Sequence, residues 1–174
     1  IFVPWYALEY YDVTQEKMLV EQGEYRFSAG ASSADIRQEL ECTVSGEVIP
    51  PRNLSHSICI KNYDSKHGIE ITLRFSYRKN DWYGCTNDWG GGFTFADADF
   101  AGYTKAELWA AAPCSQAGVA IYAGEQQLGS VEILPSRSMD DFQLYTIPLK
   151  PYTGQADLRL EITGMASVYR IQLG

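Results

Sequence analysis

The chain has few of the residues that metal and redox chemistry use: four cysteines and two histidines in 174 residues. Cys42, Cys59, Cys85 and Cys114 show no C-x-x-C spacing and no paired histidine, which leaves zinc without a ligand pattern. One or two disulfides and buried free thiols both fit four cysteines, and the sequence leaves that choice open. No apolar run approaches the roughly 18 residues of a membrane helix. Basic residues are scarce too, 14 against 22 acidic, for a net charge of −8. That surplus repels phosphate backbones and anionic lipid, so neither nucleic acid nor a membrane surface is an expected partner. The opening residues Ile1-Phe2-Val3-Pro4-Trp5-Tyr6 carry no initiator Met and no basic-then-apolar signal pattern. The chain therefore reads as an excised or processed piece whose localisation, extracellular or cytoplasmic, is set by its parent.

What is abundant points to β-structure. Apolar residues make up 45% of the chain, and there are 12 Tyr and 15 Gly. Ile69, Ile71, Leu73, Phe75 and Tyr77 alternate with polar neighbours, the period of a half-buried strand. Ile36, Leu40, Cys42 and Val44 alternate likewise, with Gln38 the polar exception, as do Leu158, Leu160 and Ile162. Shorter strands are expected at 25–29, 93–96, 119–122, 130–134, 145–149 and 168–173, separated by Gly-containing turns. Residues 105–112 are ambiguous: their Ala, Leu and Glu favour helix, yet Pro113 stops it within two turns. The fold class predicted is all-β, an antiparallel β-sandwich. Pro50-Pro51 opens an expected linker at 50–57 between a small unit at 1–49 and a sandwich-sized one at 58–174. The small unit offers too few strands for a two-sheet core. Its apolar positions Ile36, Leu40, Cys42 and Val44 are expected to pack on the second unit or on another copy of the chain.

The richest segment for chemistry is 80–92, with two Asn-Asp-Trp units seven residues apart among glycines. Sugar recognition needs flat aromatic faces and nearby amides or carboxylates. Trp82, Tyr83, Trp89, Asn80, Asn87 and Asp88 supply both and form the candidate carbohydrate-binding set, on what reads as a Gly-rich loop. The same aromatics would also serve as caps on one end of the sandwich, or as contacts to neighbouring domains. Asp81 and Asp88 do not define a catalytic pair, because loop proximity fixes no separation across a glycosidic bond. His56 and His67 stand apart from Ser, Cys and acidic clusters, so no nucleophilic triad is expected. Trp109 and Tyr122 read as core or sheet-face packing, with a platform on the sheet face as the other role. Asn53-Leu54-Ser55 fits a glycosylation acceptor and reads as incidental.

Two stretches resemble known families. Tyr10-Tyr11-Asp12-Val13, Met18–Tyr25 and Gly30-Ala31-Ser32-Ser33-Ala34-Asp35-Ile36-Arg37 resemble the end of the fibronectin type III-like domain of glycoside hydrolase family 3. Ile58–Asp64 with Gly68-Ile69-Glu70, then Asp99–Thr104, Leu128–Val131, 141–149 and 157–164, resemble in order the strands of a family 6 carbohydrate-binding module, a jelly-roll. Together they imply the tail of a family 3 β-glucosidase or β-xylosidase carrying a sugar-binding module for plant-type polysaccharide. No catalytic residue is then expected here, because the family's acid and nucleophile lie upstream. The implied partners are an oligo- or polysaccharide, the parent's catalytic domains and, through the small unit, a second copy. The alternative is a structural or oligomerisation module that binds no sugar.

The family 6 resemblance also implies a structural calcium, held by glutamates of the opening strand and an aspartate near the end. Here those places carry Lys61 and Val168-Tyr169-Arg170-Ile171. A hard divalent ion needs several oxygen ligands, so no calcium, and no other cofactor, is expected. The asparagine that touches sugar in that family has no counterpart in Ala166-Ser167-Val168.

Overall fold

The computed structural model describes residues 2–75, 80–86, 90–113 and 115–174, with the side chains of 74–75, 80–82 and 86 outside that description. It divides the chain into two compact units, Ile1–Pro50 and Pro51–Gly174.

The first unit holds a short 3-10 turn, Trp5–Leu8, and strands β1 (Tyr10–Asp12), β2 (Lys17–Leu19), β3 (Gly23–Ser32) and β4 (Asp35–Val44). Strands β1 and β2 pair antiparallel, and so do β3 and β4. Asp12 Oδ1 makes the first turn by accepting from the Thr14 and Gln15 amides at 2.7 and 2.8 Å. In the β3–β4 hairpin, Tyr25 faces Cys42 and Phe27 faces Leu40. Phe27, Leu40 and Cys42 line an apolar groove of about 930 Å3 together with Val3, Trp5 and Leu8. Val44 is buried, but Ile36 and Leu40 remain 43% and 63% exposed. Within the first unit, neither is covered.

The second unit carries β5 (Arg52–Asn53), β6 (Ile58–Cys59), a 3-10 turn at Ile60–Asn62, β7 (Ser65–His67), β8 (Ile69–Phe75) and β9 (Asn80–Thr86). Next come β10 (Gly91–Ala101), β11 (Lys105–Ala111), β12 (Ala117–Ala123), β13 (Gln126–Ile133), β14 (Gln143–Pro148), β15 (Thr153–Thr163) and β16 (Ser167–Leu173). They form two sheets. One runs β13-β12-β15-β10-β5, with β7 also on β10; the other runs β14-β11-β16-β9-β8, with β6 also on β16. Apart from the parallel β5–β10 contact, the pairs are antiparallel.

Alternation explains why the sheets close on one another. Phe93, Phe95, Val119, Ile121, Leu158 and Leu160 from the first sheet share one buried cluster with Leu108, Ile147, Val168 and Ile171 from the second. Each such side chain is worth about 1.5–3 kcal/mol on burial. The chain is all-β, an antiparallel sandwich, as its patterning predicts.

One ambiguity is settled and two expectations change. Residues 105–111 are a strand, because Ala106, Leu108 and Ala110 are fully buried between β14 and β16, and that packing overrides helix propensity. The segment expected as a linker is built into the second unit from Pro51 onward. Within it β5 pairs with β10, Leu54 is fully buried, and its carbonyl accepts from the Leu173 amide at 2.9 Å. Most of the Gly-rich "loop" is strand: β9 pairs residue for residue with β8 and, at Gly84 and Cys85, with β16. Gly84 belongs there because a Cβ would come within 2.2 Å of the Phe93 ring.

Gly84→Val should therefore overpack the core and cost roughly 1–3 kcal/mol. Gly23→Ala, where a Cβ meets nothing within 4 Å, should stay within about 0.5 kcal/mol of wild type. Urea unfolding of the full chain measures both.

Candidate functional site

The site residues named from sequence fall in two groups. Asn80, Asp81 and Trp82 lie on β9 opposite Phe75, Arg74 and Leu73 of β8, but their side chains are outside the described ones. Asn87, Asp88 and Trp89 lie outside the described residues altogether. Tyr83 is described, and it is only 9% exposed. Its ring meets Phe142 edge-on at 5.4 Å, so it offers no open face for a sugar.

Around Tyr83 the fold gathers aromatics that are far apart in sequence. Phe142 stacks on Tyr169 at 5.4 Å, and the Arg170 guanidinium carbon lies 4.2 Å from the Tyr169 ring centre and 5.9 Å from that of Trp109. A bulge in β16 makes this arrangement: Trp109 pairs with Arg170 and Ala110 with Val168, which leaves Tyr169 as the extra residue. The β13–β14 connection is pinned to neighbouring strands. The Ser136 amide donates to the Ala112 carbonyl at 2.8 Å, and the buried Ser167 hydroxyl donates to the Met139 carbonyl. Asp140 accepts from Ser138 Oγ at 2.6 Å, and Asp141 from the Arg137 amide at 3.2 Å, as carboxylates do in turns.

A second place carries no motif in the sequence. Strand β12 buries Ala117, Val119, Ile121 and Ala123, so Gly118, Ala120 and Tyr122 stand on the outer face of the first sheet. Gly118 lies between Thr163 and Glu132, Ala120 between Glu161 and Ser130, and Tyr122 between Arg159 and Gln127. Strands about 4.8 Å apart and residues about 3.4 Å along them give three rows spanning roughly 14 by 10 Å. Two rows have almost no side chain at their centre. The result is a trough of about 740 Å3, floored by Gly118 and Ala120, walled by Glu161, Thr163, Ser130 and Glu132, and ended by Tyr122.

Tyr122 is held in place from both sides. The Arg159 guanidinium carbon sits 5.4 Å from its ring centre, and its hydroxyl donates to Gln127 Oε1 at 3.4 Å. Arg159 in turn donates to Glu161 at 3.0 Å, Glu125 at 2.8 Å and the Gly124 carbonyl at 3.2 Å. The hydrogen bond to Glu161 holds its pKa above the usual arginine value, against the opposing effect of desolvation. His67, expected to stand alone, reaches across Gly92 to within 3.3 Å of Glu161 Oε2. An aromatic wall, hydroxyls and carboxylates around a bare floor can receive a polar ring, with apolar contact on one side and hydrogen bonds on the others. Trp109 and Tyr122 belong to different sheets and share no platform.

The place where the family 6 resemblance implies calcium does not fit the ion. Strands β6 and β16 run side by side, but Cys59 pairs with Arg170 and Lys61 is exposed. Those are cations and a thiol where a hard ion needs oxygen. Among the described residues no group of three or more His, Cys, Asp or Glu is placed to hold a metal, and Cys42 and Cys85 are free thiols.

No protein-family model and no curated protein matches the sequence. Solved structures do share its fold. A module called CsCBM6-3 from Clostridium stercorarium, solved with cellobiose, superposes with a TM-score of 0.64 at 20% identity, over 73% of this chain and 98% of that one. A β-1,3-glucan-binding family 6 module from Bacillus halodurans gives 0.64 at 17% identity, over 70% and 96%. A family 43 arabinoxylan arabinofuranohydrolase from Bacillus subtilis, solved with cellotetraose, gives 0.66 at 10% identity, over 84% of this chain and 32% of that enzyme. The chain therefore carries a jelly-roll-like sandwich with the fold of family 6 carbohydrate-binding modules.

The two places differ in what they carry. Tyr122→Ala, on an open face, should change stability by less than about 1 kcal/mol. Ser167→Ala, which leaves the Met139 carbonyl without its donor, should cost roughly 1–3 kcal/mol. Thermal unfolding of the full chain distinguishes them.

Proposed function

We propose that the second unit is a non-catalytic carbohydrate-binding domain that takes an oligo- or polysaccharide chain in the Tyr122 trough. The observation that carries this reading is the bare floor at Gly118 and Ala120 ended by a tyrosine ring already fixed by Arg159 and Gln127. A pre-ordered ring loses little freedom on binding, so its stacking contact reaches the ligand undiminished. Neighbours of the same fold include a β-1,3-glucan-binding module and one solved with cellobiose, which supports the ligand class. Trp82, Tyr83, Trp89, Asn80, Asn87 and Asp88, the set named from sequence, supply a second sugar contact in this reading. The first unit, read as the end of a fibronectin III-like domain, ties this module to a family 3 β-glucosidase or β-xylosidase acting on plant-type polysaccharide. No calcium is required at the β6–β16 seam.

A second reading rests on the first unit. Its exposed Leu40 and Ile36 beside an apolar groove suit contact with protein, so that unit acts as a bracing or self-associating element whatever the second unit binds.

Affinity electrophoresis of the full chain on soluble β-glucan and xylan tests the main reading. Ala120→Leu, which fills the floor, should abolish retardation, while its thermal midpoint stays close to wild type. Trp82→Ala should weaken it. Unchanged retardation of Ala120→Leu contradicts the trough. Wild type that is retarded on no glycan contradicts sugar binding altogether.

A further inference from the structure

The charge of the trough bears on which glycans it takes, a selection that rests on the carbohydrate-binding reading. Glu132 stands exposed at one wall, and no described residue pairs with it. Glu161 forms the opposite wall. One of its oxygens lies toward Arg159, and the other toward His67. The lone arginine at the site has its guanidinium occupied by Glu161, Glu125, the Gly124 carbonyl and the Tyr122 ring. The trough thus presents carboxylates to a ligand and no free cation among its described residues. A uronate or sulfate group entering it would meet like charge with nothing to neutralise it, in a chain already at −8.

We infer that the trough selects amine-bearing glycans, oligomers of glucosamine with free ammonium groups, over neutral ones and rejects uronate-bearing ones. One pyranose ring of the oligomer meets Tyr122 while the ammonium of a sugar further along it, over Gly118, donates to Glu132, a charge-assisted bond that an acetylated amine or a hydroxyl does not make as strongly. Glu132 is the decisive partner, because His67 competes for Glu161. The carboxylates are solvent-exposed or partly so, and the preference is therefore moderate, roughly threefold to tenfold, and shrinks as salt rises.

Titration calorimetry of the full chain at about pH 6, where carboxylates are ionised, reads this directly. The probes are oligomers of glucosamine, N-acetylglucosamine, cellulose-type glucose and galacturonate, all of equal length. The glucosamine oligomer should bind tightest and the galacturonate oligomer undetectably. Glu132→Gln should bring glucosamine and N-acetylglucosamine to parity, and Ala120→Leu should abolish binding of every probe. If neutral oligomers bind as tightly as the amine and still fail with Ala120→Leu, the charge selection is wrong while the sugar site stands. If glucosamine binding survives Ala120→Leu, it reflects diffuse attraction to an acidic chain, and the selection is wrong. If no probe binds, both readings fall.

Discussion

Strand register within the second unit is the constraint on which everything else in it depends. Val119, Ile121, Leu158, Leu160, Phe93 and Phe95 are buried together. Because side chains alternate with period two, that burial dictates what the opposite face displays. A slip of one residue in β12 would drive Tyr122 into the core and expose Ile121. The same packing that stabilises the sandwich therefore places Gly118, Ala120 and Tyr122 in line on its surface, and their neighbours on β13 and β15 across from them. The trough is what a well-packed core leaves outside.

Bulges modify this rule where the surface needs something else. In β12–β13, Ile121 pairs with Gly129 but Tyr122 with Gln127, so Leu128 is the extra residue and turns inward, buried. That shift brings Gln127 beside the Tyr122 hydroxyl. In β16 the extra Tyr169 joins the aromatic group with Tyr83 and Phe142. Both devices change which side chains meet without disturbing the buried cluster. They separate a closed aromatic end, whose Tyr83 ring is packed on Phe142, from an open trough whose partly exposed Tyr122 ring carries Arg159 on one side.

Much of the sandwich is legible in the sequence, for a simple reason. Half-buried strands write their burial into alternation, and 69–75 and 158–162 do so plainly. Residues 105–111 do not, since Ala and Leu serve a buried strand and a helix equally, and only the flanking β14 and β16 decide. The glycines of 80–92 suggest a loop because a sequence does not reveal that Gly84 makes room for Phe93. Only the trough's end wall, Tyr122, is legible in the sequence, as one reading of a sheet-face tyrosine; its floor is defined by absent side chains, and Gly118 or Ala120 alone carries no signal. Its walls come from different strands, β15 far along the chain from β12 and β13. The aromatic cluster is hidden the same way, since Tyr83, Phe142 and Tyr169 meet only through the fold. The second unit's fold stands on both pattern and structure.

The central claim is that a carbohydrate occupies the face floored by Gly118 and Ala120. Backbone amide shifts of the full chain, followed by NMR through a titration with soluble oligosaccharides, test it most directly. The account predicts saturable shifts clustered at Gly118, Ala120, Tyr122, Ser130, Glu132 and Thr163, the residues around that floor. Shifts confined to the Phe142–Tyr169 end, or no saturable shift with any oligosaccharide, would contradict it.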